Sequence, residues 1–371
     1  MKKFLLFWVL ALLCVGFVAC SSEDKGIEEG GGEDIEDIDI PVSSFYIVNE
    51  GWFGHDTGSV NFFNADGTIE YNVYKTANPG EELGNTTPFA AFWGKYVYFV
   101  SKQDNRLVVA DSQTFKKKKV FTELGGDGRS FVGVDDKWGY ISHTGGIRRF
   151  DITSLELGDP VVGINEEIGS LCYANGHVFA VSRKKVYIID VATNTLNDKE
   201  LNGSFSTLTQ SKDGMIWIAS SDGFIRLDPN SLEEKEVAYP QNASVASSWG
   251  AWNPGSLCAD SKQNILYWTS GNKIIKYNID TNVADNPFYE LGKDGEGKEL
   301  TFYAAGIRVE PVSGKLIAIV MRKGFSDNFS YNWVHIVKTS GKLEKEIVVK
   351  ANDGTGHVQA YWFPSMPFFR K

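Results

Sequence analysis

The chain has 371 residues, with 37 basic and 47 acidic side chains and a formal net charge of −10. Such an acidic chain lacks the concentrated basic surface that nucleic-acid binding requires, so we exclude nucleic acid as a partner. Its four cysteines show no CxxC spacing, and its five histidines form no HxH, HxxxH or HExxH pair. The sequence therefore predicts no metal site.

The first nineteen residues have the pattern of a secretory signal peptide. Lys2 and Lys3 precede the apolar run "FLLFWVLALLCVGFVA", which ends at Cys20. The run is too short and too close to the terminus to favour a membrane-spanning helix. "FVAC" matches a lipobox, so we predict cleavage before Cys20, lipidation of its thiol and anchoring to a membrane through that lipid. Secretion with an unmodified cysteine is the alternative.

Residues 20–41 are predicted to form a flexible tether. Nine acidic residues and one basic residue lie between Glu23 and Asp39. Charge of one sign together with glycine cannot bury enough apolar area to fold. An acid-rich stretch after a lipidated cysteine resembles the surface-export signal of outer-membrane lipoproteins in some Gram-negative anaerobes, which predicts an outer-membrane, cell-surface location. A solubilising linker is the alternative.

Residues 42–371 contain a pattern that recurs seven times. The segments "VNFFNADG", "LVVADSQT", "IRRFDITS", "VYIIDVAT", "FIRLDPNS" and "IIKYNIDT" each end an apolar strand on Asp or Asn, and "VHIVKTSG" has Lys338 there instead. An Asp or Asn side chain accepts hydrogen bonds from backbone N–H groups two residues on and fixes a tight turn. The marked residues are Asn64, Asp111, Asp151, Asp190, Asp228 and Asn278.

Three further strands accompany each marked segment. Upstream lies a strand rich in aromatic and β-branched residues, such as "YVYFVS" or "MIWIAS", and downstream lies a charged strand, such as "KKKKVFTEL". A short turn, such as "WGK" or "KDG", separates the upstream strand from an innermost strand before it. We interpret "KKKK" at residues 116–119 as an outer edge strand protected from aggregation. Four short strands per unit of about 40 residues are typical of a propeller blade. The sequence thus predicts an all-β fold, a seven-bladed β-propeller.

The two ends of this body are predicted to pair with each other. The first unit, "SSFYIVNEG", lacks the innermost strand that the other units have, and the C-terminal "HVQAYWFPSMPFF" can supply it. A ring needs its ends joined, because an open edge strand is a liability. We therefore predict that the C-terminal strand pairs into blade one and closes the ring. An unrelated capping segment is the alternative.

The long connections between strands are predicted to share one face. In an up-and-down meander, the connections "EGWFGHDTG", "TANPGEELGNTT", "PQNASVASSWGAWNP", "GKDGEGKELTFYAAG" and "RKGFSDNFSYNW" all fall on the same side of the ring. Aromatic residues gathered on exposed loops indicate a binding surface, although they can also fold back as small cores. The predicted ligand-binding residues are Trp52, Phe53, His55, Arg129, Arg183, Trp249, Trp252, Asn253, Tyr303, Arg322, Phe325, Tyr331 and Trp333.

Two pairs among these predictions are the most specific. Trp249 and Trp252 lie in the longest insertion, so we expect them to anchor the ligand and to be dispensable for folding. Arg129 and Arg183 start and end strands at the same face, where each could present its guanidinium to amide, phosphate or carboxylate oxygens. An ordinary exposed arginine is the alternative for either.

The sequence predicts no catalytic residues and no disulfide. It contains no GxSxG elbow, phosphate loop or dinucleotide fingerprint, although dispersed catalytic residues would escape such a search. Cys172 and Cys258 occupy matching inner-strand positions in blades four and six. Because blade five lies between them and bonded Cα atoms must be within about 7 Å, we predict two free, buried thiols.

"FYIVNEGWFGHDTGSVNFF" at residues 45–63, together with "YWFPSMPFF" at 361–369, resembles a known group of propellers. The matching features are Asn49, Glu50 and Gly51, an aromatic-glycine loop, and a closing "FPSMP" strand. They resemble those of the seven-bladed propeller lipoproteins that contain the DUF5074 domain and are related to YncE-like propellers. The resemblance covers roughly residues 42–371, but "WGAWNP" and "KGFSDNFSYNW" have no counterpart in it.

Some members of that group capture cobalamin on the loop-bearing face and pass it to an outer-membrane TonB-dependent transporter. The resemblance therefore implies a non-enzymatic, surface-anchored ligand-capture lipoprotein. It implies cobalamin or a related corrinoid as bound ligand, a TonB-dependent transporter as partner, and no catalytic cofactor. An envelope propeller that binds glycans or proteins is the first alternative, and a propeller hydrolase or lyase is the second.

Overall fold

The computed structural model describes residues 40–351 and 361–370 of the protein. The predicted signal peptide, Cys20, the tether as far as Asp39, and His357 lie outside these residues. The described residues form seven antiparallel sheets, so the predicted all-β propeller fold is confirmed. Within the same residues, no helix has the length and apolar character that crossing a membrane requires.

The first three blades are built from strands that follow one another along the chain, apart from the last strand of the protein, which joins blade one. Blade one contains β1 (Phe45–Asn49), β2 (Ser59–Phe63) and β3 (Ile69–Glu70), and is followed by α1 (Val73–Ala77). Blade two contains β4 (Phe89–Trp93), β5 (Tyr96–Val100), β6 (Leu107–Asp111) and β7 (Lys117–Phe121). Blade three contains β8 (Gly128–Gly133), β9 (Trp138–His143), β10 (Gly146–Asp151) and β11 (Glu156–Pro160).

The remaining blades repeat this arrangement. Blade four contains β12 (Leu171–Ala174), β13 (His177–Val181), β14 (Lys185–Asp190), β15 (Thr195–Leu196) and β16 (Leu201–Asn202). Blade five contains β17 (Phe205–Gln210), β18 (Ile216–Ser220), β19 (Gly223–Leu227) and β20 (Glu234–Ala238). Blade six contains β21 (Cys258–Ala259), β22 (Ile265–Ser270), β23 (Lys273–Asn278) and β24 (Val283–Glu290). Blade seven contains β25 (Leu300–Val309), β26 (Leu316–Arg322), a 3₁₀ turn (Ser326–Ser330), β27 (Asn332–Val337) and β28 (Leu343–Val349), and β29 (Pro364–Phe368) follows.

The turns at the marked Asp and Asn residues form largely as predicted. Asp111 Oδ1, for example, accepts from the backbone N–H groups of residues 113 and 114, at 3.1 and 2.9 Å. Asp151, Asp190, Asp228 and Asn278 make the same pair of bonds. The prediction is wrong at Asn64, where Asp66 Oδ1 accepts the backbone N–H of Thr68 instead, at 2.8 Å. The Asn64 amide donates to the Thr68 hydroxyl at 3.1 Å.

The core consists of apolar layers between neighbouring blades. Strand β5 shows how one strand serves two layers, because alternate side chains point to opposite faces of a sheet. Val97 and Phe99 pack towards blade one, whereas Tyr98 and Val100 pack towards blade three. Both faces of each central strand are therefore buried, which explains near-continuous apolar runs such as "YVYFV".

The ring closes through the C-terminal strand, as predicted. β29 pairs antiparallel with β1, with Val48 opposite Met366, and it also contacts the inner strands β25 and β4 of the neighbouring blades. Pro364 and Pro367 fit here because an innermost strand is a sheet edge, where a missing N–H group is tolerated. Trp362 is buried in the layer between blades seven and one.

Two expectations, one about residues 300–306 and one about Cys172, are wrong. Residues 300–306, expected in a loop, belong to β25, whose pairing shifts register between Phe302 and Ile307. Positive φ angles at Ala304 (47°) and Gly306 (34°) accommodate this bulge, so the strand continues through it. Cys172 and Cys258 are both free, as predicted, but only Cys258 is buried, and Cys172 is partly exposed.

We expect deletion of residues 358–371 to remove most of the cooperative stability of the propeller. The deletion leaves one edge of β1 unpaired and exposes two interblade layers, because Trp362 packs in one and Phe368 in the other. Thermal unfolding and size-exclusion chromatography of the truncated protein measure the effect. A truncated monomer that melts near the full-length temperature would show that the closing strand is dispensable.

Candidate functional site

A cavity of about 590 Å³ opens on the loop-rich face of the propeller. This volume lies within the range of about 300–1,000 Å³ that is usual for small-molecule sites. Its walls combine charged side chains with tryptophans, and they come from blades one to five and seven. The lining residues are Glu50, Gly51, Trp52, Phe53, Thr86, Lys102, Arg129, Thr144, Glu167, Arg183, Trp249, Gly250, Ala251, Trp252, Tyr303 and Phe363.

Ring closure itself places part of this wall. The backbone N–H groups of Glu50 and Gly51 donate to the carbonyls of Phe363 and Trp362, at 2.9 and 3.1 Å. Gly51 has φ 75°, and a Cβ atom there would lie 2.4 Å from the carbonyl oxygen of Thr57. Only glycine fits this turn, so Gly51 is a geometric requirement of the closure. The motif turns the carboxylate of Glu50 towards the cavity that it lines.

Glu50 is a buried acid with a weak ion pair. The side-chain carboxylate lies 3.9 Å from Lys102 Nζ, and it accepts a hydrogen bond of 3.1 Å from the Tyr303 hydroxyl. Burial raises the pKa of Glu50, and Lys102 only partly opposes this. Burial also lowers the pKa of Lys102. Glu50 and Lys102 therefore both lose solvation through burial, and hydrogen bonds from a polar ligand could replace part of the lost solvation.

Two arginines and one glutamate form a second charged group. Arg129 Nη2 lies 2.7 Å from Glu167 Oε1, and Arg183 Nη2 lies 3.2 Å from Glu167 Oε2. Each guanidinium also stacks over a tryptophan, Arg129 at 5.5 Å from Trp252 and Arg183 at 4.9 Å from Trp249. The structure thus brings the two predicted arginines together and holds them in fixed positions.

The sequence places Trp249 and Trp252 on an exposed insertion, and the structure buries both of them instead. They are only 6% and 3% exposed, and they pack in the layer between blades four and five with Phe205. Trp249 Nε1 donates to the carbonyl of Phe205 at 2.6 Å. The long insertion folds back onto the blades because two indole rings have a large apolar area to bury. The rings serve the core and the cavity wall at once.

The remaining predicted residues divide into three groups. Trp52 and Phe53 form the rim of the cavity and are 37% and 65% exposed, while Tyr303 lines the wall. His55 stacks on Trp52 with 3.6 Å between ring centres and is not itself a lining residue. Asn253 also lies outside the lining, because its side-chain oxygen accepts the backbone N–H of Gly255 at 2.9 Å.

Four predicted residues of blade seven do not line this cavity, namely Arg322, Phe325, Tyr331 and Trp333. Arg322 is paired with Asp294 at 2.6 Å and lies under the ring of Tyr331 at 3.6 Å. The ring of Trp333 stacks on the ring of Tyr331, with 6.4 Å between the two ring centres. Phe325 is 84% exposed on the same connection. The Arg322 guanidinium is therefore held by these local contacts with Asp294 and Tyr331 and stabilises the blade-seven loop.

Several lining residues were not among the predicted ligand-binding residues. Lys102 follows "YVYFVS" in blade two just as Arg183 follows "HVFAVS" in blade four, so comparing equivalent repeat positions would have identified it. Glu167, Phe363 and Thr86 carry no such signal. Thr86 and Phe363 have φ angles of 53° and 48°, a left-handed conformation that is costly for β-branched and bulky residues.

Three polar atoms at or next to the cavity are buried without a hydrogen-bond partner among the described residues. They are Thr86 Oγ1, Trp252 Nε1 and His143 Nε2. His143 precedes the lining residue Thr144, and its Nδ1 accepts the backbone N–H of Gly145 at 3.1 Å. Burial lowers the pKa of His143 to about 4, so the ring is neutral at physiological pH. Such atoms are available to hydrogen-bond a ligand or an ordered water.

Fold and site together define a seven-bladed β-propeller with a ligand-sized, partly charged cavity on its loop-rich face. The chain belongs to the DUF5074 family, described as a domain of unknown function, whose family model matches residues 43–370. The resemblance found in the two end motifs is thereby confirmed at the level of the family. Among curated proteins, no sequence matches this chain.

Solved structures of similar fold come from Bacteroides thetaiotaomicron. A quinoprotein alcohol dehydrogenase-like protein shares 18% identity and a TM-score of 0.64, over 84% of this chain and 76% of that one. The extracellular domain of a protein described as a hybrid two component system shares 11% identity and a TM-score of 0.53. That match covers 73% of this chain but only 34% of the other. At these identities the likeness concerns the fold alone.

We expect Trp249→Ala to lower the free energy of unfolding by about 3–5 kcal/mol, the usual cost of truncating a buried tryptophan. Urea denaturation followed by circular dichroism measures the change. Phe53→Ala is the matched control on the same cavity, and because Phe53 is 65% exposed we expect a change within about 0.5 kcal/mol. Equal stability of the two variants would mean that the Trp249 loop does not pack as described.

Proposed function

We propose that the protein is a surface-anchored lipoprotein that captures cobalamin or a related corrinoid in the loop-face cavity. It then hands the ligand to a TonB-dependent transporter in the outer membrane. The observation that carries this proposal is the wall itself, in which Arg129 and Arg183 are stacked on two tryptophans beside an exposed aromatic rim.

A corrinoid suits this wall chemically. It is large, partly apolar and rimmed with amides, so it needs flat apolar contact together with donors for carbonyl oxygens. Trp52 and Phe53 supply exposed aromatic area at the rim, and guanidinium groups donate readily to carbonyl oxygens. The cavity of about 590 Å³ would hold one part of such a ligand, and the exposed rim would cover more of it.

The location belongs to the same proposal. The signal-like start, the lipobox cysteine and the acidic tether favour a cell-surface lipoprotein. One propeller of similar fold is the extracellular domain of a Bacteroides protein, which agrees with a role outside the cytoplasm.

The described residues favour ligand binding without catalysis. Glu167 is paired with both arginines, and Glu50 is paired with Lys102 and Tyr303, so each carboxylate already has fixed partners. Among the described residues, no group of three or more His, Cys, Asp or Glu side chains could hold a metal ion. A glycan or protein ligand for the same face remains the rival, because exposed tryptophan also suits sugars.

Isothermal titration calorimetry of the purified protein with cyanocobalamin, cobinamide and a glycan panel tests the proposal. We expect both corrinoids to bind and the glycans to give no heat. Arg183→Met should weaken corrinoid binding at least about tenfold, since hydrogen bonds to charged groups contribute about 1.5–3 kcal/mol. Arg226→Met is the matched control, because Arg226 makes a similar exposed pair with Asp213 at 3.0 Å, in blade five outside the cavity lining.

If a glycan gives heat of binding and neither corrinoid does, glycan binding would replace corrinoid capture as the proposed function. Corrinoid binding that Arg183→Met leaves unchanged would place the ligand elsewhere on the protein.

A further inference from the structure

A second cavity, of about 460 Å³, lies along the central axis where the seven innermost strands converge. Strands β4, β8, β12, β17, β21, β25 and β29 contact one another in sequence around the ring and contribute to the cavity's lining. Its walls are more apolar than polar, and the apolar residues include Phe92, Phe131, Leu208, Leu257 and Phe368. This cavity shares no lining residue with the loop-face cavity.

Arg308 is the one charged side chain among the residues that line this axial cavity. Its Nη1 donates to three backbone carbonyls, those of Gly255, Ala305 and Ile307, at 3.0, 3.0 and 2.7 Å. Its Nη2 lies 3.3 Å from the sulfur of Met366. No carboxylate in the described part of the chain pairs with Arg308, whereas Arg129 pairs with one carboxylate and Arg322 with two. Its Nε donates to no described acceptor.

An arginine in this situation attracts an anion. Arg308 is partly buried. A cation withdrawn from water is usually paired, because neutral dipoles replace only part of the solvation that water gave it. Burial lowers the pKa of Arg308, as expected for a cation that has lost part of its solvation. The carbonyls fix the guanidinium on one side, and the Nε–H and the remaining Nη2–H are left to bind a partner. A planar carboxylate matches such a pair of parallel donors.

We propose that the axial cavity binds a small organic monocarboxylate, with its carboxylate on Arg308 and its apolar body against the phenylalanine and leucine walls. The apolar walls favour this class over inorganic anions, which would lose their hydration without gaining contacts. The inference is independent of corrinoid capture, because it concerns different residues at a different depth of the ring.

Cys258 offers a reporter inside the same cavity. It lines the axial wall, is 6% exposed, and burial raises the pKa of its thiol to about 11. Slow alkylation of Cys258 therefore reports on access to the cavity. Cys172 is absent from the lining and serves as an internal control for general thiol reactivity.

The test uses benzoate as the probe and benzamide as its uncharged counterpart, with the purified wild-type protein. We expect benzoate to bind at least about tenfold more tightly than benzamide, to raise the melting temperature, and to slow iodoacetamide labelling of Cys258 but not of Cys172. Arg308→Met should abolish the preference for benzoate, and Arg226→Met should retain it. Acetate, which has the charge without the apolar body, should bind at least about tenfold more weakly than benzoate.

Equal binding of benzoate and benzamide, unchanged labelling of Cys258, or acetate and chloride binding as tightly as benzoate would each overturn the proposal. Arg308 also connects neighbouring inner strands, so the Met variant could fail to fold. In that case the wild-type comparison of benzoate with benzamide, together with the protection of Cys258, decides the matter.

Discussion

The pairing of β29 with β1 is the constraint on which the rest of the structure depends. A ring of seven sheets buries both faces of every blade only if the first and last blades meet, and here one strand of five residues makes that junction. Trp362, Met366 and Phe368 pack into the layers on its two sides. Because the interblade layers are mutually dependent around a closed ring, loss of one junction weakens the others.

The same junction assembles part of the candidate site. The backbone bonds from Glu50 and Gly51 to the C-terminal segment place an acid, and Phe363 with it, at the loop-rich face. The charged residues around the cavity contribute little net stability, because pairs such as Glu50 and Lys102 lose solvation when they are buried. Their convergence on one cavity is therefore better explained by binding than by folding.

The fold could be predicted from the sequence because its determinants are local. Apolar strands recur in every blade and the predicted Asp or Asn turns recur in blades two to six, where each turn depends on residues two or three positions apart. The same locality explains the failure at Asn64, where a neighbouring Asp66 competes for the turn. The closure was predictable because the missing strand of blade one and the unassigned C-terminal strand complement each other.

The site could be predicted only in part, because it depends on contacts between blades. Repeat position indicated Arg129 and Arg183, but nothing local indicated that Glu167 would bridge them. The burial of Trp249 and Trp252 was missed because the path of a long insertion over neighbouring blades is a tertiary property. Arg322 was misplaced for a similar reason, since its partner Asp294 is 28 residues away in sequence.

Hydrogen exchange of the closing strand tests the central claim most directly. We expect the amides of β29 that pair with β1 to exchange as slowly as those of β1 itself, because both open only when the whole ring unfolds. Native-state exchange resolved by NMR or mass spectrometry measures this. Amides of β29 that exchange orders of magnitude faster than those of β1 would show that the C-terminal strand frays locally, and the account of a closed ring that builds the site would be contradicted.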